Sequence, residues 1–113
     1  MRVLVCESRH FNDPELMKDI LKQYDIRTVI EGEARGADTL ARQYAERHGL
    51  DVMAFPADWN KHGRVAGPIR NLQMLREGKP DMAVAFRGPN SRGTQNMINQ
   101  ARKAGVETVV IDV

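Results

Sequence analysis

The chain has one cysteine, Cys6, so it can close no intrachain disulfide and build no cysteine metal cluster. Its three histidines, His10, His48 and His62, stand at no spacing that suits a metal ion, and none is expected. Aromatic residues are 5% of the sequence, with Trp59 the one tryptophan, which supplies little of the stacking surface that single-stranded nucleic acid uses. No apolar run approaches the ~20 residues of a membrane span. The apolar stretch Val3 to Cys6 is too short for a signal peptide and meets Glu7 at once, so a cytoplasmic location with no membrane partner is the expectation. G-x-G-x-x-G is absent, so the standard dinucleotide fingerprint is missing and no resident cofactor is expected. Charge of one sign is also scarce: the net is +2.

What is present fits one domain over residues 1–113. A hydrophobic fraction of 42% supports one core of modest size, and a homodimer interface is expected to complete its burial. Arg2 to Cys6 is a continuous apolar run, as a strand buried on both faces requires. Asn12-Asp13-Pro14-Glu15 opens a helix with a capping side chain, a first-turn proline and an acid. Strands follow at 27–31, 51–55, 81–86 and 107–113. Helices are expected at 36–48, from Pro68 to Gly78, and from Gly93 to Gly105, with Gly49 as the stop of the second. Strands alternating with helices predict a parallel sheet covered on both faces. The expected architecture is a single Rossmann-like, doubly wound α/β sheet of five strands, order 3-2-1-4-5, with four main helices.

Such sheets bind ligands outside the carboxyl ends of their strands. In the first strand-to-helix loop, Ser8 and Arg9 offer a hydroxyl and a guanidinium for a phosphate, and Phe11 is expected to tuck onto the core. In the second, Gly32 and Gly36 bracket a turn that lets backbone approach an oxyanion, with Arg35 between them and Asp38 near the helix start. The third, 56–67, is long for so short a chain and holds Asp58 and Trp59. Arg70 and Asn71 lie just beyond it, in the first turn of a helix. A cation there opposes the helix dipole, so Arg70 reads as a ligand residue. In the fourth, Gly93 and Thr94 open a helix in the manner of a phosphate cradle. Arginines outnumber lysines 12 to 5, and Arg9, Arg35, Arg64, Arg70, Arg87 and Arg92 all fall in or beside these loops. A guanidinium matches phosphate bidentately, which an ammonium cannot do.

Gly32-x-Ala34-x-Gly36-Ala37-Asp38-x-Leu40-Ala41, Phe55-Pro56-Ala57-Asp58-Trp59, Gly63-x-x-Ala66-Gly67-Pro68-x-Arg70-Asn71-x-x-Met74 and Gly93-Thr94-x-x-Met97 occur in this order. Together they resemble the YspA-type, cpYpsA-related family of the SLOG superfamily. That superfamily has a Rossmann-like fold and includes lonely-guy phosphoribohydrolases and DNA-processing protein A. The resemblance implies binding of a nucleotide, or of an ADP-ribose-type or NAD-derived ligand, through Ser8, Arg9, Gly32, Gly36, Asp38, Asp58, Trp59, Arg70, Asn71, Gly93 and Thr94. Glu7 stands where the family commonly has glycine. The phosphoribohydrolases also carry glutamates soon after Gly-Thr, where this chain has Gln95, Asn96 and Met97.

The leading reading is a sensor or sequestering module for a phosphorylated nucleoside, with enzymatic turnover not expected. An alternative is a nucleotide N-glycosidase or phosphoribosyl hydrolase or transferase, with Asp38, Asp58 or Glu7 as acid or nucleophile. A third is single-stranded nucleic-acid binding.

Overall fold

The computed structural model describes residues 1–33 and 39–113. The strands β1 (Arg2–Glu7), β2 (Thr28–Glu31), β3 (Asp51–Ala54), β4 (Met82–Arg87) and β5 (Glu107–Asp112) form one parallel sheet in the order β3-β2-β1-β4-β5. This is the expected order, and it follows from right-handed crossovers on a chain that alternates strands and helices. The helices are α1 (Pro14–Leu21), α2 (Leu40–Arg47), the short α3 (Trp59–His62), α4 (Ala66–Gly78) and α5 (Arg92–Lys103), with a 3-10 turn at Gly63–Val65.

Two apolar layers explain the sandwich. On one face Val3, Val5, Val29, Val84 and Phe86 of the strands meet Met17 and Leu21 of α1 and Ala41 and Ala45 of α2. On the other, Leu4, Ile30 and Ala83 meet Met74 of α4 and Met97 and Ala101 of α5. Alternate residues of β1 thus serve opposite layers, as the period of two demands. Phe11 tucks onto the first layer as expected and stacks on Phe86, ring centroids 4.8 Å apart.

Helix ends follow the local chemistry. Asp13 caps α1 by accepting from the Leu16 amide at 3.0 Å, and Thr39 caps α2 by accepting from Arg42. Gly49 follows α2 with a left-handed φ of 65°, as a stop glycine should. Gly78 behaves otherwise. The left-handed residue after α4 is Lys79 (φ 49°), while a Cβ on Gly78 would lie 2.9 Å from Ile30 Cδ1. Gly78 is glycine because the last turn of α4 presses on β2, not because the helix needs a stop.

Two segments differ from the sequence expectation. The connection at 56–67 contains α3 and the 3-10 turn, and α4 starts at Ala66, two residues before Pro68. Proline is compatible with a first turn, whose amides have no helical acceptor, so it marks the region of the start rather than its first residue. The expected start of the second helix at Gly36 lies outside the described residues.

Candidate functional site

Parallel register brings the carboxyl ends of β1, β2 and β4 to one edge, and β1 hydrogen-bonds to both β2 and β4 there. The strand order reverses between β1 and β4, which is where a sheet of this class opens a crevice. A cavity of about 900 Å³ occupies that place, between the β1–α1 and β4–α5 connections. Ser8, Arg9, His10, Phe11, Asn90 and Ser91 are among the residues that line it. Arg9 is exposed and makes no ion pair or side-chain hydrogen bond among the described residues.

The far end of the cavity reaches Ser91, the residue before α5. Serine there normally caps the helix. Here its hydroxyl donates instead to the Gly88 carbonyl at 2.6 Å, and no side chain caps α5. The Arg92 amide donates to the Asn90 carbonyl at 3.2 Å, which leaves the Gly93 and Thr94 amides at the helix start, with the positive end of the helix dipole behind them. Beyond its chain neighbours and its own helix backbone, Gly93, in the first turn, has no described atom within 4 Å of where a Cβ would stand, so the space above it is open among the described residues.

Behind the cavity lies a buried polar network. The Ser8 hydroxyl donates to the Phe86 carbonyl at 2.9 Å and accepts from the Gly88 amide at 2.6 Å. Thr94 Oγ1 lies 3.5 Å from Ser8 Oγ and 3.7 Å from the Cys6 thiol. These contacts tie the end of β1 to β4 and α5. Burial pushes the Cys6 thiol above its ordinary range, although the Thr94 hydroxyl and Arg70 oppose the shift. Cys6 is partly buried, and a thiol held in its protonated form is a weak nucleophile.

A second branch runs from α4. Arg70 Nη1 donates to the Gly32 carbonyl at 2.5 Å, and its Nε donates to Asn71 Oδ1 at 3.1 Å. Asn71, 2% exposed, donates to the Gly93 carbonyl and to Asn96 Oδ1. Burial lowers the Arg70 pKa, while Cys6 and Glu31 act to raise it. The Arg70 cation, which opposes the helix dipole, thus has a structural role beside any ligand role: it joins the end of β2 to the start of α4. It also changes the meaning of Gly32. A Cβ at Gly32 would lie 2.6 Å from Arg70 Nη1, so the close approach there is made by a guanidinium of the chain itself.

Two buried carboxyl groups sit at the same edge. Glu7 Oε1 accepts from the Leu40 amide at the start of α2, while its Oε2 is buried without a hydrogen-bond partner among the described residues. Burial pushes its pKa up to about 7, against the opposing effect of the Leu40 hydrogen bond and with a further push from Glu31. Glu31, 1% exposed, accepts from the Glu33 amide through Oε2 and has Oε1 buried without a hydrogen-bond partner among the described residues. Burial raises its pKa too. Glu31 was not among the sequence candidates. An acid at the end of a strand reads as solvated until the neighbouring strand and helix are placed around it.

The remaining candidates separate. Asp58 accepts from the Lys61 amide at 3.0 Å and caps α3, which gives this acid a local structural role. Trp59, 45% exposed, has its ring 3.7 Å from the place a Cβ on Gly67 would take. Arg87 is held by Asp112 at 2.7 and 3.1 Å and by Gln95 at 3.0 Å. Arg35, Gly36 and Asp38 lie outside the described residues. No group of three or more metal-ligating side chains occurs among the described residues.

Residues 1–62 match the model of the YspA, cpYpsA-related SLOG family. The chain belongs to that family. It is also 36% identical over 118 residues to the Gene 61 protein of Mycobacterium phage D29, a match that covers 96% of this chain and 94% of the phage protein. In this SLOG-family chain the described parts of the family-like blocks supply both residues of the carboxyl edge, such as Gly32, Asn71 and Gly93, and core residues, such as Ala41, Met74 and Met97. No helix among the described residues is long and apolar enough to cross a membrane.

Proposed function

We propose that the chain binds a phosphorylated nucleoside, of the size range from a nucleoside monophosphate to ADP-ribose, at the carboxyl edge of its sheet. The observation that carries this reading is the 900 Å³ cavity at the reversal of strand order, with Arg9, unpaired among the described residues, on its wall and the start of α5, which no side chain caps, at its end. The volume suits such a ligand. One guanidinium and one helix N-terminus form an anion site. Membership of the SLOG family supports a nucleotide-related ligand.

Within this reading the protein is a sensor or sequestering module, and it forms a homodimer in solution. Binding needs the cavity, Arg9 and the α5 amides. Glycosidic cleavage needs in addition a carboxyl group at the reacting carbon. Asp58 is engaged as a cap, and Glu7 does not line the cavity. One observation favours the enzymatic alternative: a carboxyl with a pKa of about 7, as Glu7 has, is tuned for acid–base work.

Calorimetry with AMP, NAD and ADP-ribose, paired with chromatography of the same incubations, tests both. The expected result is saturable binding of at least one ligand, recovered intact. Absence of binding by all three sinks the proposal. Multiple-turnover base release that disappears in Glu7→Gln selects the enzyme instead.

A further inference from the structure

The α4 helix is apolar on two sides. Its inward side, with Ala66, Met74 and Gly78, is buried. On the opposite side Val65, the residue just before the helix, and Ile69 and Leu72 within it are 55%, 41% and 39% exposed. Their spacing of four and three residues puts them in one stripe along the helix axis. Aliphatic residues aligned on the outward side of a helix give the fold nothing, since the inward side already supplies the packing. A contiguous stripe of this kind marks an interaction surface.

The charge around the stripe identifies its occupant. Arg76 continues the line one turn beyond Leu72, and Lys79 follows at the end of the helix; both are exposed. Lys61 and Arg64 are exposed at the other end. The neighbouring helix α5, joined to α4 by Gln100 donating to the Pro68 carbonyl, carries three cations and no acid. Over residues 59–79 and 92–103 together there are eight Lys and Arg against the single acid Glu77. The whole chain is only +2, so charge is segregated: this layer is strongly positive and the remainder is negative. Two copies meeting through this layer would set like charges against each other, which costs association. Nucleic acid would match the charge but would leave an aliphatic stripe unused, since bases are held by aromatic platforms.

We propose that the outward face of α4 docks an acidic amphipathic helix of a protein partner. The partner helix lays an apolar stripe on Val65, Ile69 and Leu72, and its flanking carboxylates meet Arg76, Lys79, Lys61 and Arg64. The surface is independent of the nucleotide edge, because Arg70 and Asn71 project from other sides of α4. Anchors at this spacing are the usual way a helix is recognised by an apolar surface, and the charges set partner choice and encounter rate.

The test is selection of a displayed library of helical peptides about 20 residues long, long enough to hold helix, with surface positions randomised, against the intact protein. Enriched peptides are expected to carry Leu or Ile at i, i+4 and i+7 with Asp or Glu beside them. By fluorescence anisotropy, Ile69→Glu is expected to weaken the best peptide by at least about tenfold, as loss of a central anchor does. The double change Arg76→Glu with Lys79→Glu, or raised salt, is expected to weaken it as well. Ile69 is exposed, so an unchanged melting curve establishes that Ile69→Glu still folds. Enrichment without acidic residues, or equal binding to Ile69→Glu, overturns the proposal. So does a wild-type dimer that Ile69→Glu converts to monomer. Binding of oligo(dT) or phosphatidylserine vesicles that requires Ile69, with no peptide enriched, overturns it in favour of the other class.

Discussion

Replacing Gly32 by alanine isolates the contact between the end of β2 and α4. The backbone at Gly32 is not in the left-handed region, so alanine meets no conformational strain there. What it meets is the guanidinium of Arg70, 2.6 Å from the new Cβ at Nη1 and 2.8 Å at Cζ. The guanidinium is the far end of a flexible side chain, so it will swing away rather than force the backbone apart. The loss is then the Arg70 to Gly32 hydrogen bond, a charge-assisted contact worth about 1.5–3 kcal/mol. Reduced freedom of the unfolded chain returns about 0.4–1 kcal/mol. Gly32→Ala should therefore destabilise by about 1–2 kcal/mol. In an Arg70→Ala background the clash is gone and only the unfolded-state gain remains, so the same change should become neutral or stabilising. Urea denaturation of the four proteins of this cycle measures the coupling directly. Additive effects, with Gly32→Ala costing the same in both backgrounds, would refute the reasoning and assign Gly32 to some other contact.

Three further expectations follow from the edge. Glu7 has a pKa of about 7 in the folded chain against the ordinary 4.5, so the folded state holds its proton where the unfolded state has lost it. That contribution is complete below about pH 4.5 and is lost as pH rises through 7. Relative to Glu7→Gln, the wild type should lose on the order of 3 kcal/mol between pH 5 and 8 by chemical denaturation, and a flat difference would contradict the buried placement. Arg9→Ala should leave stability within about 0.5 kcal/mol while weakening nucleoside monophosphate binding tenfold or more by calorimetry, since Arg9 has no side-chain partner among the described residues. Asn71→Ala should cost about 2–3 kcal/mol in melting or urea experiments, because it strips partners from Arg70, the Gly93 carbonyl and Asn96 at a 2% exposed position.

The sheet order was legible because it depends on local signals: apolar runs for strands, Pro14 and Gly49 as punctuation, and a handedness rule that leaves few topologies. So was the convergence of Ser8, Arg70, Asn71, Gly93 and Thr94 on one edge. Their partners were not. Ser8 and Thr94 look like phosphate ligands in sequence, and only the register of β1 against β4 shows their hydroxyls bound to Phe86, Gly88 and each other. Arg70 reads as a misfit with the helix dipole until Gly32, 38 residues earlier, is seen to accept its hydrogen bond. Glu31 stayed hidden because burial of an acid is decided by elements distant in sequence. The same holds for Gly78, whose role is set by Ile30 on another strand.

The central position of β1 has a consequence for how the chain reaches this state. β1 pairs with β2 early in the sequence, but its other edge waits for β4, which comes about 75 residues later. Until Met82–Arg87 arrives, a strand as apolar as Val3-Leu4-Val5 shows a row of free amides and carbonyls. During synthesis, the β1-β2-β3 half can form while that edge is still open. Refolding should then be limited by capture of β4, and changes on the edge face of β1 or in β4 should slow folding more than equal destabilisation placed in β3. The open edge is also where nascent chains would pair with one another, so crowding at synthesis is the moment of greatest risk for this fold.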